Sequence, residues 1–316
     1  VSRADVAEQR ECERQGGAAA VATHGLCKSF ASRTVLADLN LRVPAGSLFG
    51  FLGPNGAGKT TTIRLLLGLL RPTRGTALVL GCDAWRDGPR VRRQVGYLPG
   101  DIRFYDRMTG AALLGFLGAA RGGSCESEVR RLARVLDLDL SRRIRTYSRG
   151  MKQRLGLIQA LMHRPQLVVL DEPTVALDPL MRQALYDELR RVVADGRTVL
   201  FSSHTLSEVE ALCDEVAILR DGRLVEQERI EVLRTRAVRR VEVLLDGPAP
   251  AASELPTGLR ADPVQDGRLL GTWVGPVDRL LSWLAGRRVL DMTIAPPDLE
   301  DLFLAYYSPS GEDGAT

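Results

Sequence analysis

Short apolar blocks separated by polar turns run through the first two thirds of the chain and set the order of its elements. Ala20–Leu26, Val35–Val43 and Ser47–Leu52 read as strands, the last running straight into a glycine-rich turn. Beyond the turn Thr60–Leu70 has the pattern of a helix, and Arg71-Pro72 marks its end because proline cannot continue one. Residues 101–165 are helical in pattern, with breaks at Gly122-Gly123 and around Ser141. Leu167–Leu170 is continuously apolar, as a strand buried on both faces requires. Leu180–Ala194 then reads as a helix, Thr198–Ser202 as a strand, Leu206–Cys213 as a helix and Val216–Leu219 as a strand. Strands alternating with helices predict an α/β fold with a mostly parallel sheet covered on both faces.

The pattern changes after Gly222. Val241–Leu245, Leu269–Val274 and Val289–Ile294 read as strands, Val277–Ala285 and Asp298–Tyr306 as helices, and Gly247–Pro263 is rich in glycine and proline. The domains expected are therefore a polar, flexible tail at 1–19, a main domain at 20–224, a small α+β accessory domain at 225–308 and a second tail at 309–316. No internal repeat is visible.

Composition narrows the classes. Of 316 residues, 45% are hydrophobic, 26% charged and 5% aromatic, and the mean hydropathy is -0.06, values of a globular protein rather than a disordered or membrane-embedded one. The longest apolar runs, Leu65–Leu70 and Ala111–Ala120, fall far short of the roughly 18 to 20 residues that cross a bilayer. The first twenty residues are charged and lack an apolar stretch, so no secretory signal is expected. The net charge of +4 comes from 43 basic and 39 acidic residues, and all but three of the basic ones (Lys28, Lys59, Lys152) are arginine. Acids are interleaved with most arginine clusters, which fits a solvated surface better than a nucleic-acid or lipid patch. Cys12, Cys27, Cys82, Cys125 and Cys213 form no CxxC pair and read as reduced thiols, without disulfide framework or zinc site.

Chemistry is concentrated at Gly53-Pro54-Asn55-Gly56-Ala57-Gly58-Lys59-Thr60, which fits G-x-x-x-x-G-K-[ST] between an apolar strand and a helix. Phosphate binding needs backbone amides turned into one concavity, and glycines allow the chain to turn that tightly. The following helix aims its positive end at the anion. Lys59 then reaches the β- and γ-phosphates of a nucleotide, and the Thr60 hydroxyl is placed to ligate Mg²⁺. The second signal is Leu167-Val168-Val169-Leu170-Asp171-Glu172, a strand that ends in two carboxylates. Asp171 is placed to hold the Mg²⁺ shell and Glu172 to polarise the attacking water.

Between these two lies Tyr147-Ser148-Arg149-Gly150-Met151-Lys152-Gln153-Arg154, and here the chain resembles the ATP-binding subunits of ABC transporters. Ser148 and Gly150 match the first and third residues of that family's S-G-G-Q signature, while Arg149 and Met151 depart from it. The Ser-Arg-Gly-Met form, and the ending Pro297-Asp298-Leu299-Glu300-Asp301-Leu302-Phe303, resemble the drug- and antibiotic-exporter ATPases of the ABC-2, daunorubicin-resistance-like branch. Ala176-Leu177-Asp178 is similar to the D-loop, His204 to the switch histidine that contacts γ-phosphate, and Phe30 to the aromatic that stacks on adenine. The resemblance runs through six ordered motifs over residues 21–222. It implies a P-loop NTPase with an antiparallel β subdomain and a helical subdomain. Glu172, His204 and Lys59 would be catalytic. Phe30, Gly53, Asn55, Gly56, Gly58, Lys59, Thr60, Thr61, Ser148, Gly150 and Asp178 would bind ATP.

One departure falls on the Q-loop, where the family carries Gln or Glu. Here Gly100 occupies the expected position and Asp101 follows. Either Asp101 joins Thr60 and Asp171 around Mg²⁺, or that contact is lost and hydrolysis depends more on Glu172 and His204.

The resemblance further implies a homodimer when ATP is bound, each phosphate loop facing the partner's Ser148 segment, and docking on a separate transmembrane permease at the cytoplasmic face of the membrane. The docking surface would include the loop at 100–109 and the helices after it. A soluble ABC ATPase acting on nucleic acid or the ribosome is the rival class. The 112 residues from Lys59 to Asp171 leave no room for a long coiled coil. CxxC zinc pairs and a second ATPase domain are absent from the sequence, and aromatic residues are few, so no nucleic-acid partner is expected. A kinase or other P-loop enzyme leaves Ser148 and His204 unexplained.

Overall fold

The computed structural model describes residues 19–236, 239–247, 250, 254–261 and 268–297. The tails expected at 1–19 and 309–316 and the closing helix expected at 298–306 lie, but for residue 19, outside the described residues. The chain divides between Gln227 and Glu228 into two compact units.

The first unit opens with strands β1 (Ala19–Phe30), β2 (Arg33–Leu39), β3 (Arg42–Pro44) and β4 (Leu48–Leu52), followed by helix α1 (Lys59–Leu66). Strands β5 (Arg74–Val79) and β6 (Cys82–Asp83), helix α2 (Gly88–Gln94) and strand β7 (Val95–Leu98) come next. Three helices follow: α3 (Gly110–Ala120), α4 (Glu126–Val135) and α5 (Arg149–Leu161). The remainder alternates as β8 (Leu167–Asp171), α6 (Pro179–Ala194), β9 (Thr198–Ser203), α7 (Leu206–Leu212), β10 (Glu215–Arg220) and β11 (Arg223–Arg229).

Two sheets result. One has the order β2–β1–β5–β6, with β3 also paired to β1, and is antiparallel throughout. The other has the order β11–β10–β4–β9–β8–β7, and every pairing from β10 to β7 is parallel. All five residues of β4 and all five of β8 are buried, as their unbroken apolar runs require of strands covered on both faces. Topology places β9 between β4 and β8, with Leu52 opposite Ser203 and Asp171 opposite Ser202. The phosphate loop, the acidic pair and the His204 segment therefore leave the sheet side by side at its C-terminal edge, where ligands of open α/β sheets bind.

Several elements depart from the sequence pattern. The single strand expected at Val35–Val43 is two, since β2 ends at Leu39, just after Asp38 with its φ of 56°, and β3 starts only at Arg42. The Asn40 side chain accepts the Gly25 N–H at 2.8 Å and donates to the Asp38 carbonyl at 3.1 Å. Helix α1 stops at Leu66 rather than Leu70, since Leu67 closes it and Gly68 follows with a φ of 61°. Residues 101–109 are not helical. The helix begins only at Gly110, where the Thr109 hydroxyl caps the Ala112 N–H at 3.2 Å.

A buried clamp fastens the helical segment. Arg131 on α4 donates to both carboxylate oxygens of Glu188 on α6, at 2.5 and 2.8 Å, and to Glu128 at 2.6 Å. Glu188 is buried, and the two carboxylates hold the guanidinium firmly protonated.

The second unit contains α8 (Ile230–Arg236), β12 (Arg239–Leu245), β13 (Leu259–Ala261), β14 (Arg268–Trp273), α9 (Val277–Leu284) and β15 (Val289–Pro297). Its antiparallel sheet has the order β13–β14–β12–β15. Val241, Val243, Leu269, Trp273, Leu280 and Leu284 form its core. The Trp273 indole N–H is satisfied by the Gly275 carbonyl at 2.9 Å, so the ring is buried without an unpaired donor.

Candidate nucleotide-binding and hydrolysis site

The loop after β4 turns at Gly58, which has a φ of 107° and opens α1. A Cβ there would lie 2.7 Å from Leu36 Cδ2 and 3.2 Å from the Val35 carbonyl, so β2 packs directly on the loop. Pro54, Asn55 and Gly56 remain exposed while Ala57, Gly58 and Lys59 are buried. Lys59 is 5% exposed and donates to the Gly53 carbonyl at 2.5 Å and the Pro54 carbonyl at 3.2 Å. Its Nζ also lies 3.5 Å from Glu172 Oε1. Burial lowers the ammonium pKa, and the charges of Glu172 and Asp171 oppose that shift.

Thr60, in the first turn of α1, donates its hydroxyl proton to Asp171 Oδ2 at 2.8 Å. The other carboxylate oxygen, Oδ1, accepts from the Ser202 hydroxyl at 2.7 Å. Asp171 is 2% exposed, so its orientation is fixed from both sides. Its charge, after burial, helps push the Tyr97 phenol up to about 12, against the Arg64 guanidinium. Glu172 leaves the strand with a φ of 51°, a left-handed value uncommon outside glycine. Its N–H reaches both the carbonyl and the hydroxyl of Ser202, each at 3.2 Å. Its carboxylate Oε1 stands between Lys59 Nζ at 3.5 Å and His204 Nδ1 at 3.4 Å. The His204 segment is held in turn, since the Ser203 hydroxyl donates to Glu208 at 2.7 Å and accepts the Thr205 N–H at 2.9 Å.

Lys59, Thr60, Asp171, Glu172 and His204 thus form one constellation. Thr61 lies half-buried beside it in the first turn of α1. Ser148, Gly150 and Asp178 form a second group. Ser148 caps α5 by accepting the Met151 N–H at 3.2 Å, and Asp178 caps α6 by accepting the Met181 N–H at 2.9 Å. A Cβ on Gly150 would fall 2.6 Å from the Ala176 carbonyl, so the two cap regions touch only because that residue is glycine. Among the described residues no hydrogen bond joins this group to the phosphate loop.

Phe30 stands at the tip of the β1–β2 hairpin with 46% of its surface exposed, and Lys28 Nζ lies 4.8 Å from its ring centre. Asp101 is 75% exposed and pairs with Arg103 at 2.9 Å. Gly100 is the residue that faces the acidic strand end, where a Cβ would lie 3.6 Å from Asp171 Oδ2. Asp101 is therefore outside the Thr60–Asp171 pair in this conformation.

The sequence reading did not single out Ser202 or Gln153. Each is a polar residue in a buried, otherwise apolar stretch, Ser202 at the end of β9 and Gln153 in line with Leu157 and Leu161 on α5. That mismatch is the signal that could have found them.

The arrangement presents a buried lysine at the base of a glycine-rich loop, a hydroxyl–carboxylate pair of hard oxygen donors, and a partly exposed carboxylate braced by an ammonium and an imidazole. Comparison with known proteins bears on what this set serves. The ABC transporter family description matches residues 36–175. The chain is 37% identical over 219 residues to the bacitracin transport ATP-binding protein BcrA of Enterococcus faecalis, covering 68% of this chain and 71% of that protein. It is 38% identical over 211 residues to the daunorubicin/doxorubicin resistance ATP-binding protein DrrA of Streptomyces peucetius, covering 65% and 64%. A solved ATP-binding subunit of an ABC transporter superposes with a TM-score of 0.62 at 33% identity, over 68% of this chain and 92% of that one.

Proposed function

Because the chain belongs to the ABC transporter ATP-binding family, we propose that it powers export of a drug, antibiotic or lipid-like substrate through a separate membrane permease. The observation that carries the hydrolytic part is the constellation at the sheet edge, in which Thr60 meets Asp171 at 2.8 Å and Glu172 sits between Lys59 and His204. Backbone amides of residues 53–60 and the N-terminal end of α1 receive the phosphates. Lys59 exchanges its present carbonyl partners for phosphate oxygens, which compensate its burial better than neutral acceptors do.

Thr60 and Asp171 supply the hard oxygens that suit Mg²⁺, an ion that binds through one or two protein ligands together with substrate phosphates. When bound, Mg²⁺ neutralises charge developing on the β- and γ-phosphate oxygens. Glu172 takes a proton from the attacking water, and His204 fixes that carboxylate and touches the γ-phosphate. Ser148, Gly150 and Asp178 cap the nucleotide of a second subunit, so that ATP closes a homodimer and hydrolysis reopens it. The chain then works as a peripheral protein at the cytoplasmic face of the membrane, and residues 225–308 serve assembly or regulation. Similarity to BcrA and DrrA supports a drug or antibiotic as the exported class.

The test is Mg²⁺-dependent ATP turnover by the purified chain and its Lys59→Ala variant. Turnover in the first and none above background in the second supports the site. Equal turnover in both refutes it.

A further inference from the structure

Helix α5 carries Ser148 at its cap, and one turn and a half later it carries Gln153, which none of the sequence motifs above assigns a role. Gln153 is 6% exposed on an otherwise apolar helix face. Its amide Nε2 donates to the Pro173 carbonyl at 2.8 Å and to the Glu172 carbonyl at 3.4 Å. The amide must present its NH2 group here, because the reverse orientation would set its oxygen against two carbonyl oxygens.

The consequence for Glu172 is geometric. Ser202 takes the N–H on one side of its Cα, at 3.2 Å from both the carbonyl and the hydroxyl, and Gln153 takes the carbonyl on the other. Both peptide groups flanking a residue at φ 51° are therefore fixed by different elements, β9 and α5. A left-handed conformation at a non-glycine residue persists only where the surroundings over-determine it. The next left-handed non-glycine residue in this loop, Ala176 with a φ of 65°, is the one whose carbonyl abuts Gly150 on the same helix. Helix α5 thus braces the loop from Glu172 to Ala176 at two points, and Gln153 is the one that acts on Glu172.

We infer that Gln153 is a positioning residue for hydrolysis: by gripping the Glu172 and Pro173 carbonyls it aims the Glu172 carboxylate at the attacking water. The inference rests on Glu172 being the general base. It also makes α5 a rigid link between the Ser148 cap and the carboxylate that moves the proton. An apolar side chain of the same length would fill the space without donating a hydrogen bond.

The experiment uses the full chain carrying Gln153→Met, Glu172→Gln, or both, with kcat, KM and ATP affinity measured for each. Gln153→Met is expected to lower kcat by about 10- to 100-fold, the scale of a small misplacement of a catalytic group, with KM and ATP affinity within about twofold of the parent. In the Glu172→Gln background it is expected to lower the residual turnover no further, because it acts only through that carboxylate. A structural role would instead reduce turnover by the same factor in both backgrounds, and that result overturns the inference. So does a kcat within twofold of the parent in folded Gln153→Met while Glu172→Gln is impaired. Full turnover in Glu172→Gln overturns the general-base reading itself, and the inference with it. If Gln153→Met does not fold, Gln153→Leu supplies the same comparison, since it keeps nearly the volume and loses the donor.

Discussion

At the scale of single residues the site is a set of groups whose hydrogen bonds are already divided among them. Asp171 gives one oxygen to Thr60 and the other to Ser202, so the strand opposite β8 sets the carboxylate angle as firmly as the phosphate loop does. Ser202→Ala leaves the buried Oδ1 without its donor. The Mg²⁺ concentration for half-maximal ATP turnover should rise by about 10-fold or more, the usual cost of losing an outer partner of a metal ligand. Asp101 is engaged by Arg103 on the surface, and the residue beside Asp171 is Gly100. Asp101→Ala should therefore leave the Mg²⁺ requirement within about twofold. A larger rise would mean that Asp101 leaves Arg103 to join the metal shell.

At the scale of elements, the clamp between α4 and α6 carries a definite cost. Removing the guanidinium in Arg131→Ala strands the buried Glu188 carboxylate, and urea denaturation should show a loss of about 3 kcal/mol. A pH effect comes from His163, which follows α5 and whose pKa is pushed down to about 4 by burial and then by the Arg121 charge. Well above pH 6.5 the imidazole is neutral in both folded and unfolded chains. As the pH falls from about 6.5 toward 4 the unfolded chain takes up a proton that the fold refuses, so stability declines through that window. His163→Gln should flatten this slope in melting temperatures recorded between pH 7 and pH 4.5.

The elements also show what was readable in advance. The β4–loop–α1 unit, β8 with its acidic end, and β9 running to His204 stand out because apolar runs end abruptly in polar residues with special chemistry. Residues 73–94 were opaque. There β5 has its first three residues exposed and β6 is two residues long, so neither carries a period long enough to see. The split at Asp38 and Asn40 depends on a side-chain bond to Gly25, fifteen residues away in sequence. Ser202 and Gln153 were hidden for a related reason. Their partners lie on other strands and loops, and only the folded sheet brings them together.

At the scale of the molecule, no helix among the described residues is long and apolar enough to cross a membrane. On the proposed reading, the work of ATP turnover is delivered to another polypeptide. The first unit holds the whole group of Lys59, Thr60, Asp171, Glu172 and His204 and its own core, and the second has a separate core around Trp273. A chain ending after residue 229 should keep ATP turnover within a few-fold of the full chain and lose co-purification with its permease from membranes. Wild-type recovery of the complex would count against an assembly role for the second unit.

On the proposed function this site hydrolyses ATP with Glu172 as general base. Steady-state ATP turnover by the full chain and by Glu172→Gln tests it most directly. The variant is expected to lose about 10²- to 10⁴-fold in turnover, the range for a missing general base, while ATP binding is retained. Turnover equal to that of the parent would contradict it.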